Sequence, residues 1–257
     1  MAEPSRPYSL TIFPDSLSLA AAAAEHIAAL MQEVVAKRGV FHWALAGGRT
    51  PAALYRVLAT ASYANLPWKQ VHIWFGDERT VPHDHPDSNF RMARESLLDN
   101  IPLPAHQVHP MPSDLITLRQ GARAYAQCLE SLLPHHNGVP CLDLILLGMG
   151  ADGHIASLFP GSCALHQTHQ ATVAVYAPGP RTWRVTLTRP VIDHAHQVLL
   201  LVTGADKAAT LAQALAPNPH DPLLPIQRLA PRGKMVWYLD AAAASLLTHN
   251  QPRSRCE

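Results

Sequence analysis

The sequence predicts an α/β fold: a single doubly wound, mainly parallel sheet flanked by helices, as in Rossmann-like proteins. Apolar runs of strand length alternate along the chain with segments of helical periodicity, which favours parallel strands joined by helices. Residues 142–147 are apolar except for Asp143, as expected for a central strand that is covered on both faces. Glycine-rich loops follow several predicted strands, at the edge where such sheets bind ligands.

The first part of the chain predicts a long helix and then one strand–turn–helix unit. Residues 16–38 have the pattern of an amphipathic helix, which Asp15 or Ser16 could cap. Lys37, Arg38 and Gly39 are typical of a helix end. Residues 40–46 predict a buried strand that runs through a glycine turn into a helix at 51–58.

The later elements continue this alternation. Strands are predicted at 71–75, 142–147, 171–175, 184–188, 197–202 and 235–239, and helices at 89–98, 115–133, 206–215 and 241–247. The proline-rich segment 101–112 predicts extended structure or turns, and the proline-rich segment 216–225 predicts a loop. Because no repeat or linker interrupts this order, residues 1–257 are expected to form a single domain, with a core at about 10–248 and a flexible tail at 249–257.

The composition excludes several classes of partner. Of 257 residues, 48% are hydrophobic and only 15% are charged, and the formal net charge is +1. Such a charge indicates neither a nucleic acid nor a membrane as partner. Residues 17–31 are alanine-rich and interrupted by Glu25 and His26, so they are judged too polar and too short to span a membrane. A cytoplasmic protein is therefore expected.

Neither the cysteines nor the histidines predict a metal site. The four cysteines form no C-x-x-C pair and are too sparse for a disulfide scaffold, so free thiols are expected. The sixteen histidines are scattered along the chain. Their densest groups, His83 with His85 and His166 with His169, lie in polar loops without a clear third ligand.

The loop at 46–51 (AGGRTP) has the features of an anion site. Paired Gly47 and Gly48 let the backbone approach a ligand, and the helix that follows offers free N–H groups. Thr50 could cap that helix or donate to a phosphate oxygen, and Pro51 suits a first helical turn. A tight turn into a capped helix would use the same residue types.

The segment 148–153 (GMGADG) matches G-x-G-x-x-G, the dinucleotide-binding fingerprint, but the residues that should follow this fingerprint are missing. That fingerprint needs an acidic residue about 20 positions later for the ribose hydroxyl. Residues 153–192 contain no Asp or Glu, and His154 stands where an apolar helix should begin. Dinucleotide binding is therefore disfavoured, and no G-x-x-x-x-G-K-S/T indicates a P-loop.

Two charged groups at strand ends are candidates for chemistry. His154 is the residue type best suited to exchange protons near neutral pH, and Asp152 could orient it or act on the substrate. Asp77, Glu78 and Arg79 follow another strand, where Arg79 could bind a phosphate or stabilise an oxyanion. Alternatively, His154 could be a structural histidine whose hydrogen bonds are satisfied within the protein. The charged residues 77–79 could form an ion-pair network that fixes their loop.

Taken in order, these loops resemble the 6-phosphogluconolactonases, in the superfamily that also contains the glucosamine-6-phosphate deaminases. The AGGRTP loop resembles their S-G-G-S-T-P, and 75–82 (FGDERTVP) with 87–89 (DSN) resembles G-D-E-R-x-V-P…S-N. Their most specific signature is similar to 147–161 (LGMGADGHIASLFPG). Weaker matches are 184–188 (RVTLT), 204–207 (GADK) and 233–240 (GKMVWYLD). The likeness covers about residues 19–247 without a large insertion.

The resemblance implies a glucosamine-6-phosphate deaminase-like fold and an enzyme that hydrolyses 6-phospho-D-glucono-1,5-lactone to 6-phospho-D-gluconate, in the oxidative pentose phosphate pathway. It implies no metal and no organic cofactor. His154 would be the general base that activates water, with catalytic neighbours Asp77, Arg79 and Asp152. The phosphorylated sugar lactone would be held by Gly47, Gly48, Arg49, Thr50, Gly150, Arg181, Arg184 and Lys207. A monomer or weak homo-oligomer is expected.

Three positions depart from the family pattern. Arg49 replaces the usual serine of the first loop and would add a cation near the phosphate. Ile155 replaces the common threonine after the histidine. Gly179 stands where many members have lysine, and Arg181 could supply that charge from two residues away.

Two other functions remain open. An aldose/ketose sugar-phosphate isomerase or deaminase of the same fold is disfavoured because those enzymes typically carry L-D-E-Y where this chain has Gly76 to Arg79. A non-catalytic sugar-phosphate sensor is disfavoured because such a protein should lose its proton-transfer group, whereas His154 and Asp152 are both present.

Overall fold

The computed structural model describes residues 8–178, 182–216 and 220–247, and its main feature is a six-stranded parallel sheet. The strand order is β1-β11-β10-β7-β2-β3. These strands are β1 (Tyr8–Phe13), β2 (Phe41–Leu45), β3 (Val71–Phe75), β7 (Leu144–Leu147), β10 (Gln197–Val202) and β11 (Lys234–Asp240). The predicted α/β fold with a mainly parallel sheet is confirmed.

Helices cover the sheet. They are α1 (Ser16–Arg38), α2 (Arg49–Leu58), α3 (Asn89–Ser96), α4 (Leu118–Leu132), α5 (Arg189–His194) and α6 (Ala208–Leu215). The strands β2, β7 and β10 are buried at every position, which the largely apolar run at 142–147 predicted for β7. Large side chains such as Trp43, Trp74 and Phe75 fill the space between the layers and are about 1% exposed or less.

The helix α1 begins and ends at the predicted residues. The Asp15 side chain accepts a hydrogen bond from the Ser18 N–H, and Gly39 ends the helix in the left-handed conformation. By length and composition, α1 could cross a membrane, which corrects the judgement that this segment is too short and too polar. Its apolar face is nevertheless buried, with Leu19, Ile27 and Met31 fully inaccessible, as in a core helix.

A second, antiparallel sheet lies beside the first, whereas the sequence predicted a single sheet. Its order is β4-β9-β8, with β4 at Asp77–Arg79, β8 at Thr172–Tyr176 and β9 at Trp183–Leu187. The segment after β3 is therefore a strand rather than a loop, because Asp77 pairs with Thr186 and Arg79 pairs with Arg184. A small hairpin joins β5 (His135–His136) to β6 (Val139–Pro140).

Some elements differ from those that the sequence predicted. The strand β1 and the helix α5 had not been predicted, and 241–247 forms turns rather than a helix. The helix α2 begins at Arg49, two residues before its predicted start, so Gly48 is its N-cap and Thr50 is not. The single-domain organisation stays a prediction, and the expected tail at 249–257 lies outside the described residues.

Candidate active site

One cleft of about 590 Å³ opens at the carboxyl ends of the parallel strands. Loops that follow β2, β3, β7 and β10 line it, and the antiparallel sheet closes one side. Ten of the twelve predicted site residues line the cleft: Gly47, Gly48, Arg49, Thr50, Asp77, Arg79, Gly150, His154, Arg184 and Lys207. The topology thus brings together residues from five separate segments of the chain.

His154 and Asp152 form a hydrogen-bonded pair after β7. The Oδ1 atom of Asp152 lies 2.5 Å from Nδ1 of the imidazole and also accepts from the His154 N–H at 3.2 Å. Burial alone would raise the pKa of Asp152, but the charge and hydrogen bonds of His154 outweigh it and hold that pKa below its usual value. An ionised carboxylate only accepts hydrogen bonds, so Nδ1 carries the proton and Nε2 is the basic nitrogen.

Gly150 makes room for this histidine. A Cβ atom at this position would lie 2.1 Å from Nδ1 of His154 and 2.6 Å from Oδ1 of Asp152, closer than real contacts allow. The Gly150 N–H also donates to the His154 carbonyl at 2.9 Å, which folds the loop back on itself. The second glycine of the G-x-G-x-x-G pattern is therefore explained by the imidazole rather than by a dinucleotide.

Two guanidinium groups enter the cleft from the antiparallel sheet. Arg79 and Arg184 are directly paired across β4 and β9, an arrangement of like charges that destabilises a sheet on its own. Burial lowers the pKa of Arg184, and nearby Asp77 opposes this effect. Of the residues that the structure describes, none accepts a hydrogen bond from the Nε atom of either arginine. This concentration of positive charge suits an anionic group in a ligand.

Phe159 connects the arginine pair to the histidine. The Arg184 guanidinium carbon lies 5.6 Å from the centre of the Phe159 ring, within the range of a cation–π contact. The His154 ring lies 4.7 Å from the same centre. One buried aromatic ring therefore fixes the spacing between the candidate base and the candidate anion-stabilising cation.

Asp77 is held by donors on both carboxylate oxygens. The Ser157 hydroxyl donates to Oδ2 at 2.5 Å, and the Asn89 amide donates to Oδ1 at 3.1 Å and to the Asp77 carbonyl at 2.8 Å. Arg184 Nη1 lies 3.8 Å from Oδ2, close enough for an ion pair but too far for a hydrogen bond. Asp77 therefore presents a fixed, largely buried carboxylate to the cleft.

Glu78, the next residue, faces away from the cleft and fixes the neighbouring loop. Its carboxylate accepts from the Ser88 hydroxyl and from the backbone N–H groups of Arg79, Asn89 and Phe90. Burial raises the pKa of Glu78, although the backbone donors oppose that rise. Glu78 thereby fixes both β4 and the start of α3, which carries Asn89.

The loop after β2 forms the opposite wall. A Cβ atom at Gly47 would lie 2.0 Å from Oδ1 of Asn89, so only glycine fits there. Gly48 caps α2 without a side-chain hydrogen bond, which leaves the first N–H groups of that helix available. The Thr50 hydroxyl lies 2.6 Å from the Thr203 hydroxyl, and this contact joins the first turn of α2 to the loop that follows β10.

The loop after β10 adds Lys207 and is held in place by Asp240. Both carboxylate oxygens of Asp240 accept from the Gly204 N–H, at 3.0 and 3.1 Å. Lys207 is 23% exposed and pairs with Asp206 at 3.0 Å. Arg49 is exposed at the cleft rim, and its charge helps to lower the pKa of Asp206 after the hydrogen bond and charge of Lys207.

Sequence reasoning missed four residues that shape this site. Thr203 and Asp240 line the cleft, and Asn89 and Ser157 fix Asp77. Asn89, Ser157 and Asp240 carried a signal, since they lie within segments that resemble the family, whereas Thr203 carried none. Of the two remaining predicted site residues, Asp152 contacts His154 from outside the cleft lining, and Arg181 lies outside the described residues.

Within the described ranges, no group of three or more His, Cys, Asp or Glu residues is placed to hold a metal ion. The predicted thiols Cys128, Cys141 and Cys163 are unpaired. The fourth, Cys256, lies outside the described part of the chain.

Comparison with known proteins identifies the family. The family model described as glucosamine-6-phosphate isomerases/6-phosphogluconolactonase matches residues 14–237. The chain is 38% identical to a 6-phosphogluconolactonase of Nostoc sp., over 93% of this chain and 98% of the relative. It is 39% identical to a 6-phosphogluconolactonase of Mycobacterium tuberculosis, with the same coverage of both chains.

A solved structure agrees. The 6-phosphogluconolactonase from Trypanosoma brucei superposes with a TM-score of 0.86 at 32% identity, over 95% of this chain and all of the other. The match of the family model and the identity to these relatives each extend over most of the chain. The chain belongs to the family of glucosamine-6-phosphate isomerases and 6-phosphogluconolactonases.

Proposed function

We propose that this protein hydrolyses 6-phospho-D-glucono-1,5-lactone to 6-phospho-D-gluconate, the lactone-opening step of the oxidative pentose phosphate pathway. The observation that carries the proposal is a single cleft that holds both an oriented histidine, His154, and an anion-binding wall that includes Gly47, Thr50 and Lys207. A phosphorylated lactone needs both features. The relatives named 6-phosphogluconolactonase support the same reaction.

His154 acts as the general base. Since Asp152 holds the proton on Nδ1, the free electron pair of Nε2 accepts a proton from water. The hydroxide that forms attacks the lactone carbonyl carbon and gives a tetrahedral oxyanion. When the bond to the ring oxygen breaks, the imidazolium returns its proton to that oxygen. The net change is the addition of one water molecule, with His154 restored.

Arg79 and Arg184 stabilise the negative charge that develops on the carbonyl oxygen. The Arg184 guanidinium packs on Phe159, and the Arg79 guanidinium donates to the Asp87 carbonyl, so little reorganisation is needed when the charge forms. A lactone is already reactive, and a base contributes roughly 10²- to 10⁴-fold to such a reaction. One base and two oriented cations are therefore sufficient.

The opposite wall binds the phosphate. The N-terminus of α2 supplies N–H groups, Thr50 and Thr203 supply hydroxyls, and Lys207 and Arg49 supply positive charge. Lys207 is partly engaged with Asp206, so Arg49 is the more available cation for a dianionic phosphate. This chain has Arg79 at a position where deaminases of the same fold typically have tyrosine. This difference favours a lactonase over a deaminase.

We also propose that the protein acts in the cytoplasm as a monomer or weak homo-oligomer. Its unpaired Cys128, Cys141 and Cys163 are in keeping with a reducing compartment. Cell fractionation and light scattering at several protein concentrations test the two statements. Activity confined to a membrane pellet, or a stable oligomer at low concentration, contradicts them.

The decisive experiment generates the lactone in situ and follows its decay. Wild-type protein should accelerate the decay well above spontaneous hydrolysis. His154→Ala should lose about 10²- to 10⁴-fold in kcat, whereas His169→Ala, at an exposed histidine outside the cleft, should match wild type. Absence of acceleration by wild type overturns the proposed activity. An unchanged rate in His154→Ala overturns only the role of that residue.

A further inference from the structure

Ser157 is fully buried and does not line the cleft, yet its hydroxyl donates to Asp77, which does. We infer that Ser157 is a positioning residue: it keeps the Asp77 carboxylate from forming a direct hydrogen bond to Arg184 and aims it at a hydroxyl group of the sugar ring. This inference rests on the proposed function. It assigns to Ser157 a role in binding, distinct from the chemistry at His154.

The local backbone directs Ser157 towards Asp77. Ala156 has a φ of 46°, in the left-handed region that residues other than glycine rarely occupy. This conformation closes a tight turn in which the Leu158 N–H donates to the Ile155 carbonyl at 2.9 Å. The Ser157 N–H then donates to the Thr186 hydroxyl at 3.1 Å. Since Thr186 pairs with Asp77 across β9 and β4, the turn is attached to the strand that carries the carboxylate.

The hydroxyl of Ser157 has no nucleophilic role in this arrangement. Its single proton is directed to Oδ2 of Asp77 at 2.5 Å, a length typical of a bond to an ionised acceptor. Its side chain is inaccessible to solvent and therefore to substrate. Whatever Ser157 contributes to catalysis passes through Asp77.

Without Ser157, the Asp77 carboxylate has a competing partner. Arg184 Nη1 already forms an ion pair with Oδ2 at 3.8 Å, just beyond hydrogen-bonding distance, so a small rotation of the carboxylate would add a direct hydrogen bond. Asn89 restrains only Oδ1. In the native arrangement Oδ2 is held by Ser157, which leaves both Asp77 and Arg184 available to a ligand.

A carboxylate fixed in this way recognises a hydrogen-bond donor. An ionised carboxylate only accepts, and Asp77 is the buried acidic side chain of the β4 wall that reaches the cleft. In a phosphorylated sugar lactone the neutral donors are the ring hydroxyls. Losing their acceptor weakens binding, whereas His154 and Asp152 are untouched, so KM should change more than kcat.

The test measures kcat and KM for lactone decay in wild type, Ser157→Ala and Ser157→Cys, and the affinity for 6-phosphogluconate by calorimetry. Cysteine fills the same space with a much weaker donor, which separates the hydrogen bond from the cavity. Both variants should raise KM and weaken the affinity about tenfold and leave kcat within about threefold. Ser96→Ala, at a buried serine outside the cleft, should leave both constants unchanged.

The double variant Ser157→Ala/Asp77→Asn decides whether Ser157 acts through Asp77. In the Asp77→Asn background, replacing Ser157 should change the affinity less than about threefold, because the acceptor is already altered. Equal effects in both backgrounds, or a fall in kcat without a rise in KM, overturn the inference and indicate loosening of the loop that carries His154. Absence of lactone decay in wild type overturns the proposed function instead, and the calorimetric cycle still decides the role of Ser157.

Discussion

Asp152 lies outside the cleft lining, yet its Oδ1 atom is 2.5 Å from Nδ1 of His154. No described residue hydrogen-bonds to the other ring nitrogen, Nε2. The pair is therefore directional: the carboxylate selects the tautomer, and the basic nitrogen is left for water. Under the proposed function, we expect Asp152 to act through His154.

Replacing Asp152 by asparagine should lower kcat more than it changes KM. The amide no longer stabilises an imidazolium and can favour the wrong tautomer, so we expect a loss of about 10- to 100-fold in kcat, smaller than that of His154→Ala. Steady-state kinetics of lactone decay measure it. Asp99→Asn, at an exposed aspartate paired with Arg94 outside the cleft, is the control. A change confined to KM would assign Asp152 to binding.

Arg49 should contribute to phosphate binding. Arg49→Ser restores the residue usual in the family and removes an exposed cation at the cleft rim, so KM should rise about three- to tenfold, with little change in kcat. The effect should shrink at high salt, because exposed charges are screened. Arg56→Ser, on the same helix but outside the cleft lining, controls for net charge. Equal KM values for the two variants would contradict the assignment.

The Thr50–Thr203 contact should also matter for binding. Thr203→Val keeps the shape of the side chain and removes the hydroxyl that joins the loop after β10 to the first turn of α2. We expect a several-fold higher KM and a fall in the melting temperature of about 2 °C or less. Calorimetry with 6-phosphogluconate, together with thermal unfolding, separates these effects. An unchanged affinity would mean that the contact is structural only.

A histidine cluster should make the protein sensitive to acid. Burial, reinforced by neighbouring histidines, lowers the pKa of His42 and of His109 to about 4. The unfolded chain takes up these protons below about pH 6.5, whereas the folded protein does so only near pH 4. The unfolded state therefore binds more protons in this window, and the free energy of unfolding should fall as pH falls.

Urea titrations at several pH values measure this effect. Allowing for the partial exposure of His109, the loss should be on the order of 2 kcal/mol per histidine across the window. The variant His109→Gln cannot titrate and should show a shallower dependence, whereas His169→Gln, at an exposed position, should follow wild type. Parallel curves for wild type and His109→Gln would exclude this histidine as a source of acid sensitivity.

The sequence was most informative about the bounds of single strands and helices. The apolar run at 142–147 predicted β7, and Asp15 with Gly39 predicted both ends of α1. It was least informative about which strands pair when they are distant in the sequence. Nothing local to Asp77 or Arg79 indicates that they leave the main sheet to pair with β9.

The same limit applies to the candidate site. His154 was found because its loop is distinctive, and Gly150 because it completes the glycine pattern. Ser157, Thr203 and Asp240 were missed because their importance lies in a partner that is remote in sequence: Asp77, Thr50 and Gly204, respectively. The alternation of strands and helices and the spacing of motif residues indicate relations between neighbours along the chain. These contacts depend instead on how the whole chain folds.

The position of β1 has a consequence for biosynthesis. This strand is made before the other strands, yet its hydrogen-bonded neighbour in the main sheet is β11, whose residues are made after all the other strands. Until then β1 has no partner strand, and its unpaired edge is open to association with other nascent chains. Completion of the sheet must therefore wait for the synthesis of β11, and overproduction should benefit from conditions that slow translation or supply chaperones.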